Sequence, residues 1–181
     1  DQEKRVAMTP NGVCHLVAHG HQVRVERDAG LGSGYSNREY QEAGAVLTDT
    51  AEAWDSELVV KVKEPLVTEY GYLRDQIIFT FFHLAGADPL LSETLLARGT
   101  TALAYETLED ESGRLPLLAP MSAIAGNMAS LVGAYFLGRP QGGRGVQLGT
   151  VGGKRCGRSL VIGGGMVGRS AARGSAGMGE Q

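Results

Sequence analysis

The sequence predicts an α/β protein built on parallel strands, and three observations predict it. Short β-branched or aromatic runs recur at 22–26, 45–47, 58–63, 77–82 and 101–105. Between them lie helix start and stop signals: Thr9-Pro10 with Gly20, Ser36-x-x-Glu39 with Gly44, and Asp88-Pro89 with Gly99. Strands that alternate with helices are joined by crossovers, and crossovers make the sheet parallel. Third, an apolar run meets a glycine-rich loop in Val161-Ile-Gly-Gly-Gly-Met-Val-Gly168. A strand feeding G-x-G-x-x-G is the phosphate loop of a dinucleotide-binding Rossmann unit. The expectation is a Rossmann-like parallel-sheet domain followed by the first strand and glycine loop of a second, nucleotide-binding one.

Each element has a local reason. Thr9 caps a helix with Pro10 at its first position, Val13, Leu16 and Val17 share one face, and Gly20 closes it. Gln22 to Glu26 alternates with Val23 and Val25 on one side. Ser36-x-x-Glu39 is a capping box for a short helix ending at Gly44. A short strand at 45–47 precedes a short helix at 50–55. Leu58-Val-Val-Lys-Val-Lys63 is a β-branched run stopped by Pro65, and Ile77 to Phe82 is another. Asp88-Pro89 opens a helix that ends at Gly99, and 101–105 reads as a strand.

A loop from Glu109 to Pro120 leads to a long helix opened by Ser122 and ending at Gly138. Sixteen of the 27 glycines lie between Leu131 and Gln181. Gln141 to Gly145 and Gly149 to Gly157 therefore read as loop or linker. The domains divide as 1–138, a linker at 139–158, and the start of a nucleotide domain at 159–181. Gly174, Gly177 and Gly179 weaken the helix expected after the glycine loop.

Composition narrows the classes. The 181 residues carry a net charge of −3 with no Lys or Arg run, so no nucleic-acid surface is expected. Pro116 to Gly138 lacks charge, but Pro120, Ser122, Asn127 and Ser130 interrupt its apolar character. Its helical part spans only about 25 Å, against the roughly 30 Å of a hydrocarbon core. The expectation is a buried helix and no membrane span. Asp1-Gln-Glu-Lys4 leads into no secretory h-region, and Cys14 and Cys156 read as free thiols of a reducing cytosol. His15 and His19 share an i, i+4 face but have no acidic or Cys co-ligand, so no metal site is expected.

Function in a parallel sheet sits at the carboxyl ends of strands. Lys63 and His83 occupy two such ends. A lysine there holds a carboxylate or polarises a carbonyl, and a histidine exchanges protons near neutral pH. Arg5, just before Val6-Ala-Met-Thr-Pro10, is suited to a bidentate grip on a carboxylate. Taken singly, each also reads as a solvated or capping residue. In the glycine loop, Gly163 allows the tight turn, Gly165 lets backbone approach a pyrophosphate, and Gly168 lets helix pack on strand.

Together these segments resemble the alanine dehydrogenase family. The resemblance rests on Arg5-Val-Ala-Met-Thr-Pro10, Ala29-Gly-Leu-Gly-Ser-Gly34, Val60-Lys-Val-Lys-Glu-Pro65, Phe82-His-Leu-Ala85 and Ala104-Tyr-Glu-Thr107. It continues through Leu115-Pro-Leu-Leu-Ala-Pro-Met-Ser122, Gly142-Gly-Arg-Gly-Val146 and Val161-Ile-Gly-Gly-Gly165. It implies NAD-dependent oxidative deamination of L-alanine to pyruvate and ammonium. It assigns substrate binding to Arg5 and Lys63, acid/base catalysis to His83, and cofactor contacts to Ser122, Gly163, Gly165 and Gly168. It implies a cytoplasmic homo-oligomer, usually a hexamer. The family's opening Gly-Val-Pro-Lys-Glu-type strand, its ribose-binding acid and its second catalytic carboxylate have no counterpart here, so the expectation is an incomplete, inactive fragment. Two alternatives are a fragment related to the nucleotide-binding subunit of transhydrogenase and a non-catalytic module for small acids. His83 and Leu115 to Ser122 favour the dehydrogenase over the transhydrogenase.

Overall fold

Parallel ladders organise the first part of the chain in the computed structural model, which describes residues 3–179. The chain divides into two compact units, Asp1–Thr107 and Leu108–Gln181. In the first, helix α1 (Pro10–Ala18) leads to strand β1 (Arg24–Glu26), helix α2 (Asn37–Glu42), strand β2 (Val46–Thr48) and helix α3 (Thr50–Trp54). Strand β3 (Leu58–Lys63), strand β4 (Ile77–Phe81), helix α4 (Pro89–Ala97) and strand β5 (Thr101–Ala104) follow. β1 pairs parallel with β2, and β3, β4 and β5 form a parallel sheet in that order. The expected α/β class and parallel pairing are therefore observed.

The caps act as the sequence indicates. The Thr9 hydroxyl accepts from Gly12 N–H at 3.2 Å, and Ser36 with Glu39 forms the reciprocal capping box. Asp88 accepts from Leu90 N–H at 2.9 Å with Pro89 in the first turn of α4. Two apolar clusters hold the unit. Val13, Tyr40 and Ala45 centre one, packed by Val17, Val23, Val25 and Leu47. Trp54, Leu73, Ile78, Phe82, Leu91 and Leu95 form the other, between the three-stranded sheet and α4. Tyr105, at the end of β5, packs edge-on to Phe79 and Phe81 with centroids 4.3 and 4.8 Å away. Burial pushes its hydroxyl up to about 12.

The second unit departs from expectation in four places. Helix α5 (Ala119–Leu137) starts three residues before Ser122, with Pro120 in its first turn, where a missing N–H is harmless. Gly149–Val151 (β6) and Lys154–Cys156 (β7) form an antiparallel hairpin where a linker was expected. Its Gly152-Gly153 turn has φ of 57° and 78°, the two positive values a twist-matched two-residue turn requires. Residues 157–164 join no ladder, and Ile162 is 91% exposed. The expected strand at 161–162 is thus an unladdered segment, because an apolar run becomes a strand only beside a partner.

The fourth departure is helix α6 (Met166–Gly177), which forms despite its glycines. It is held by α5 rather than by propensity. A Cβ on Gly126 of α5 would lie 2.6 Å from Ser170 Cβ, and one on Gly174 of α6 would lie 2.9 Å from Ser130 Oγ. Small residues let the two backbones approach closely. Ser130 Oγ then donates to Ala171 O at 2.9 Å and sits 3.1 Å from Ser175 Oγ. The helix expected to be buried covers only this face: Ile124, Met128, Leu131 and Tyr135 remain exposed. Among the described residues no helix is long and apolar enough to cross a membrane. Cys14 and Cys156 are free thiols.

Candidate active site and nucleotide loop

Arg5 is set in place by the turn that follows β1. The Ser33 hydroxyl donates to Lys4 O at 2.8 Å, and Tyr40 Oη donates to Met8 O at 2.8 Å. Gly32 makes room for this segment, since a Cβ there would lie 2.8 Å from Lys4 O. The Gly-Leu-Gly-Ser segment is thus a saddle for the residues around Arg5. The guanidinium grips Glu3 as a fork: Nε donates to Oε1 at 2.8 Å and Nη2 to Oε2 at 2.7 Å. These charge-assisted bonds hold the Glu3 carboxyl below the ordinary carboxylate range, with the positive charge of Lys63 adding to the effect. Arg5 and Lys63 therefore share one electrostatic neighbourhood, and a carboxylate lies within it.

Lys63 ends β3, and its carbonyl accepts from the Thr80 hydroxyl of β4 at 2.8 Å. Lys63 pairs with Phe81 in the register, so His83 stands just past the neighbouring strand end. The parallel sheet brings these two residues to one carboxyl edge.

His83 is in the left-handed region, with φ 46° and ψ 42°. Non-glycine residues adopt this conformation when a fixed partner compensates for it. That partner is Glu106, just beyond β5: the His83 N–H donates to its Oε1 at 2.6 Å. Glu106 Oε2 is buried and has no hydrogen-bond partner. The imidazole lies against Gly86, where a Cβ would meet Cδ2 at 2.8 Å and Nε2 at 2.9 Å. The third strand end of the sheet thus shapes the turn that carries the histidine.

In the second unit, Ser122, residues 160–163 and residues 165–168 line one cleft of about 430 Å³, together with Ala171. Gly163 has φ 102°, which favours glycine. No atom lies within 4 Å of a Cβ built on Gly165, so the face toward the cleft is open backbone. A Cβ on Gly168 would collide with the carbonyl of Gly163. Arg169 Nε donates to Gly164 O at 2.8 Å and braces the loop. The loop meets the N-terminus of α6, whose first N–H groups suit a phosphate. On these three glycine geometries the residues fit a dinucleotide.

Several residues were not singled out in the sequence: Glu3, Gly32, Ser33, Gly86 and Glu106. For Glu106 a signal existed, because it follows a strand as Lys63 and His83 do. His15 and His19 meet through a 2.7 Å contact between His19 Nδ1 and His15 O, and no metal-binding cluster occurs among the described residues.

Comparison with known proteins matches these features to one family. Residues 1–125 match the model of the alanine dehydrogenase/PNT N-terminal domain, and residues 129–181 match that of the C-terminal domain. The alanine dehydrogenase of Bacillus subtilis (strain 168) is 50% identical over 181 residues, covering 99% of this chain and 47% of the relative. That of Mycobacterium tuberculosis (strain ATCC 25618 / H37Rv) is 50% identical over 182 residues, covering 99% and 49%. The chain spans about half the length of the curated relatives it matches. A solved L-alanine dehydrogenase superposes with a TM-score of 0.88 at 48% identity, covering all of this chain and 50% of the other. A transhydrogenase from Sinorhizobium meliloti superposes with a TM-score of 0.77 at 24% identity, covering 99% and 54%, and shares the fold. With two family models in series along one chain, the protein belongs to the alanine dehydrogenase/PNT family.

Proposed function

We propose that this chain carries the substrate residues and the phosphate loop of an NAD-dependent alanine dehydrogenase, which converts L-alanine to pyruvate and ammonium. The observation that carries this reading is the carboxylate already held by the Arg5 fork in the field of Lys63. A site that binds a glutamate side chain in this way is chemically suited to the carboxylate of alanine or pyruvate.

Arg5 grips the substrate carboxylate. Lys63, from the neighbouring strand end, holds the substrate oxygen as a point charge. His83 moves protons at the substrate nitrogen and at the oxygen of the water that replaces it, acting as base in deamination and acid in the reverse direction, while the hydrogen on carbon leaves as hydride. Ser122, Gly163, Gly165 and Gly168 would hold the dinucleotide, which when bound would supply hydride-acceptor chemistry while the protein supplies orientation.

The 181-residue chain is not expected to turn over alone, because the apolar segment before its glycine loop lacks a paired strand. The test supplies L-alanine and NAD to the full-length protein and to this chain, and follows NADH absorbance. Turnover by the longer protein and none by the chain is the expected result. Robust turnover by the chain contradicts the reading of incompleteness, and no turnover by the full-length protein contradicts the activity. A homo-hexamer and a cytoplasmic location belong to the same proposal, with sedimentation and cell fractionation of the full-length protein as their tests.

A further inference from the structure

The Arg5 fork that would receive the substrate carboxylate is occupied by the chain itself. Glu3 Oε1 and Oε2 accept from Nε and Nη2 at 2.8 and 2.7 Å, and Oε1 also accepts from the Arg5 N–H at 2.9 Å. The carboxylate of a glutamate side chain and that of a 2-oxo acid are the same group. Both cannot take the same face of one guanidinium.

We propose that Glu3 is an internal competitor for the substrate carboxylate, displaced from Arg5 when substrate binds, so that this one side chain sets the affinity of the site. The inference rests on the reading of Arg5 as the carboxylate clamp.

Three features distinguish a displaceable occupant from a structural brace. First, among the described residues every hydrogen bond of the Glu3 side chain goes to Arg5. Glu106, by contrast, is anchored on the backbone of another segment, and Glu39 closes a helix cap. Second, the Glu3 and Arg5 side chains are 30% and 47% exposed, so Glu3 can swing into water without opening the core. Third, the segment around Arg5 is fixed by other contacts, Ser33 to Lys4 O and Tyr40 to Met8 O. Removing Glu3 leaves those bonds intact.

An exposed ion pair of this kind favours the closed arrangement only several-fold. A site whose competent form is that fraction of the population binds weaker by the same factor. Releasing the competitor should therefore tighten binding by about fivefold.

The experiment is calorimetric titration of the 181-residue chain, and of E3A, E3Q and R5A, with pyruvate at low salt. Pyruvamide, which lacks the carboxylate, is the control ligand, and circular dichroism verifies folding of each variant. The expected result is pyruvate binding about fivefold tighter in E3A, an intermediate gain in E3Q, no binding in R5A, and no effect of E3A on pyruvamide. Unchanged or weaker pyruvate binding in E3A, with binding still lost in R5A, overturns the competitor role and leaves Arg5 as the clamp. An equal gain for pyruvamide also overturns it, since the effect would not then depend on the carboxylate. Absence of pyruvate binding in every chain overturns both the competitor role and the reading of the site.

Discussion

Replacing Glu106 with alanine tests how the fold holds His83. The left-handed backbone of His83 costs on the order of 1–3 kcal/mol, and its N–H is fixed by a 2.6 Å bond to the Glu106 carboxylate. A hydrogen bond to a charged group contributes about 1.5–3 kcal/mol, enough to offset that strain. E106A removes the bond and leaves the strain, so the turn should open locally. At 1.4 kcal/mol per factor of ten, amide exchange at His83 should accelerate by about 10–100-fold. E106Q retains a neutral acceptor of roughly half the strength and should accelerate exchange by about 3–10-fold. The assay is amide hydrogen exchange read at single residues, with Ile78 in the core as an internal reference. Unchanged exchange at His83 in E106A would refute the reasoning. So would equal acceleration at Ile78, which would mean global rather than local loss.

Four other outcomes follow from the same geometry. G126A drives a Cβ into the backbone of α6 and should lower stability by about 3 kcal/mol, read as a shift in urea midpoint; a neutral effect would contradict the close helix contact. Glu3 is held below its ordinary 4.5 by the Arg5 fork, so its contribution to stability is present above pH 4.5 and lost as pH falls through the lowered value; a Glu3 carboxyl that titrates at 4.5 by NMR contradicts the fork. Tyr105 is raised from 10.0 to about 12, so the stabilisation from its neutral form is present below pH 10 and lost as pH rises through 12; phenolate absorbance from this residue near pH 10 contradicts its burial. In the full-length protein, H83A should lower turnover by about 10²–10⁴-fold, and unchanged turnover removes His83 from the mechanism.

What the sequence reveals is what local rules govern. Thr9-Pro10, Ser36-x-x-Glu39 and Asp88-Pro89 mark helix starts because a cap is satisfied within three residues. The parallel pairing follows from alternation alone. Helix α6 is misjudged because its glycines count against propensity, whereas Gly174 gains a close approach to Ser130, some forty positions earlier. The hairpin at Gly152-Gly153 was legible as a two-residue turn between short extended runs, but glycine abundance there suggests a linker. Val161-Ile162 reads as a strand from composition, while strand formation requires a neighbour. Lys63 and His83 stand out because a strand end is predictable from its hydrophobic run. Glu3 does not, because only the folded segment turns its carboxylate onto Arg5. Gly86 is equally silent, since its role is the space it leaves for the imidazole.

The central claim is that Arg5, Lys63 and His83 form one site for a small 2-oxo acid. Titrating pyruvate into the isotope-labelled 181-residue chain and following the Arg5 Nε–H, Lys63 Nζ and His83 ring resonances tests it most directly. The account predicts that all three shift along a single binding curve, and that R5A abolishes the shifts at Lys63 and His83. Shifts at Lys63 and His83 that survive R5A, or none at saturating pyruvate, would contradict it.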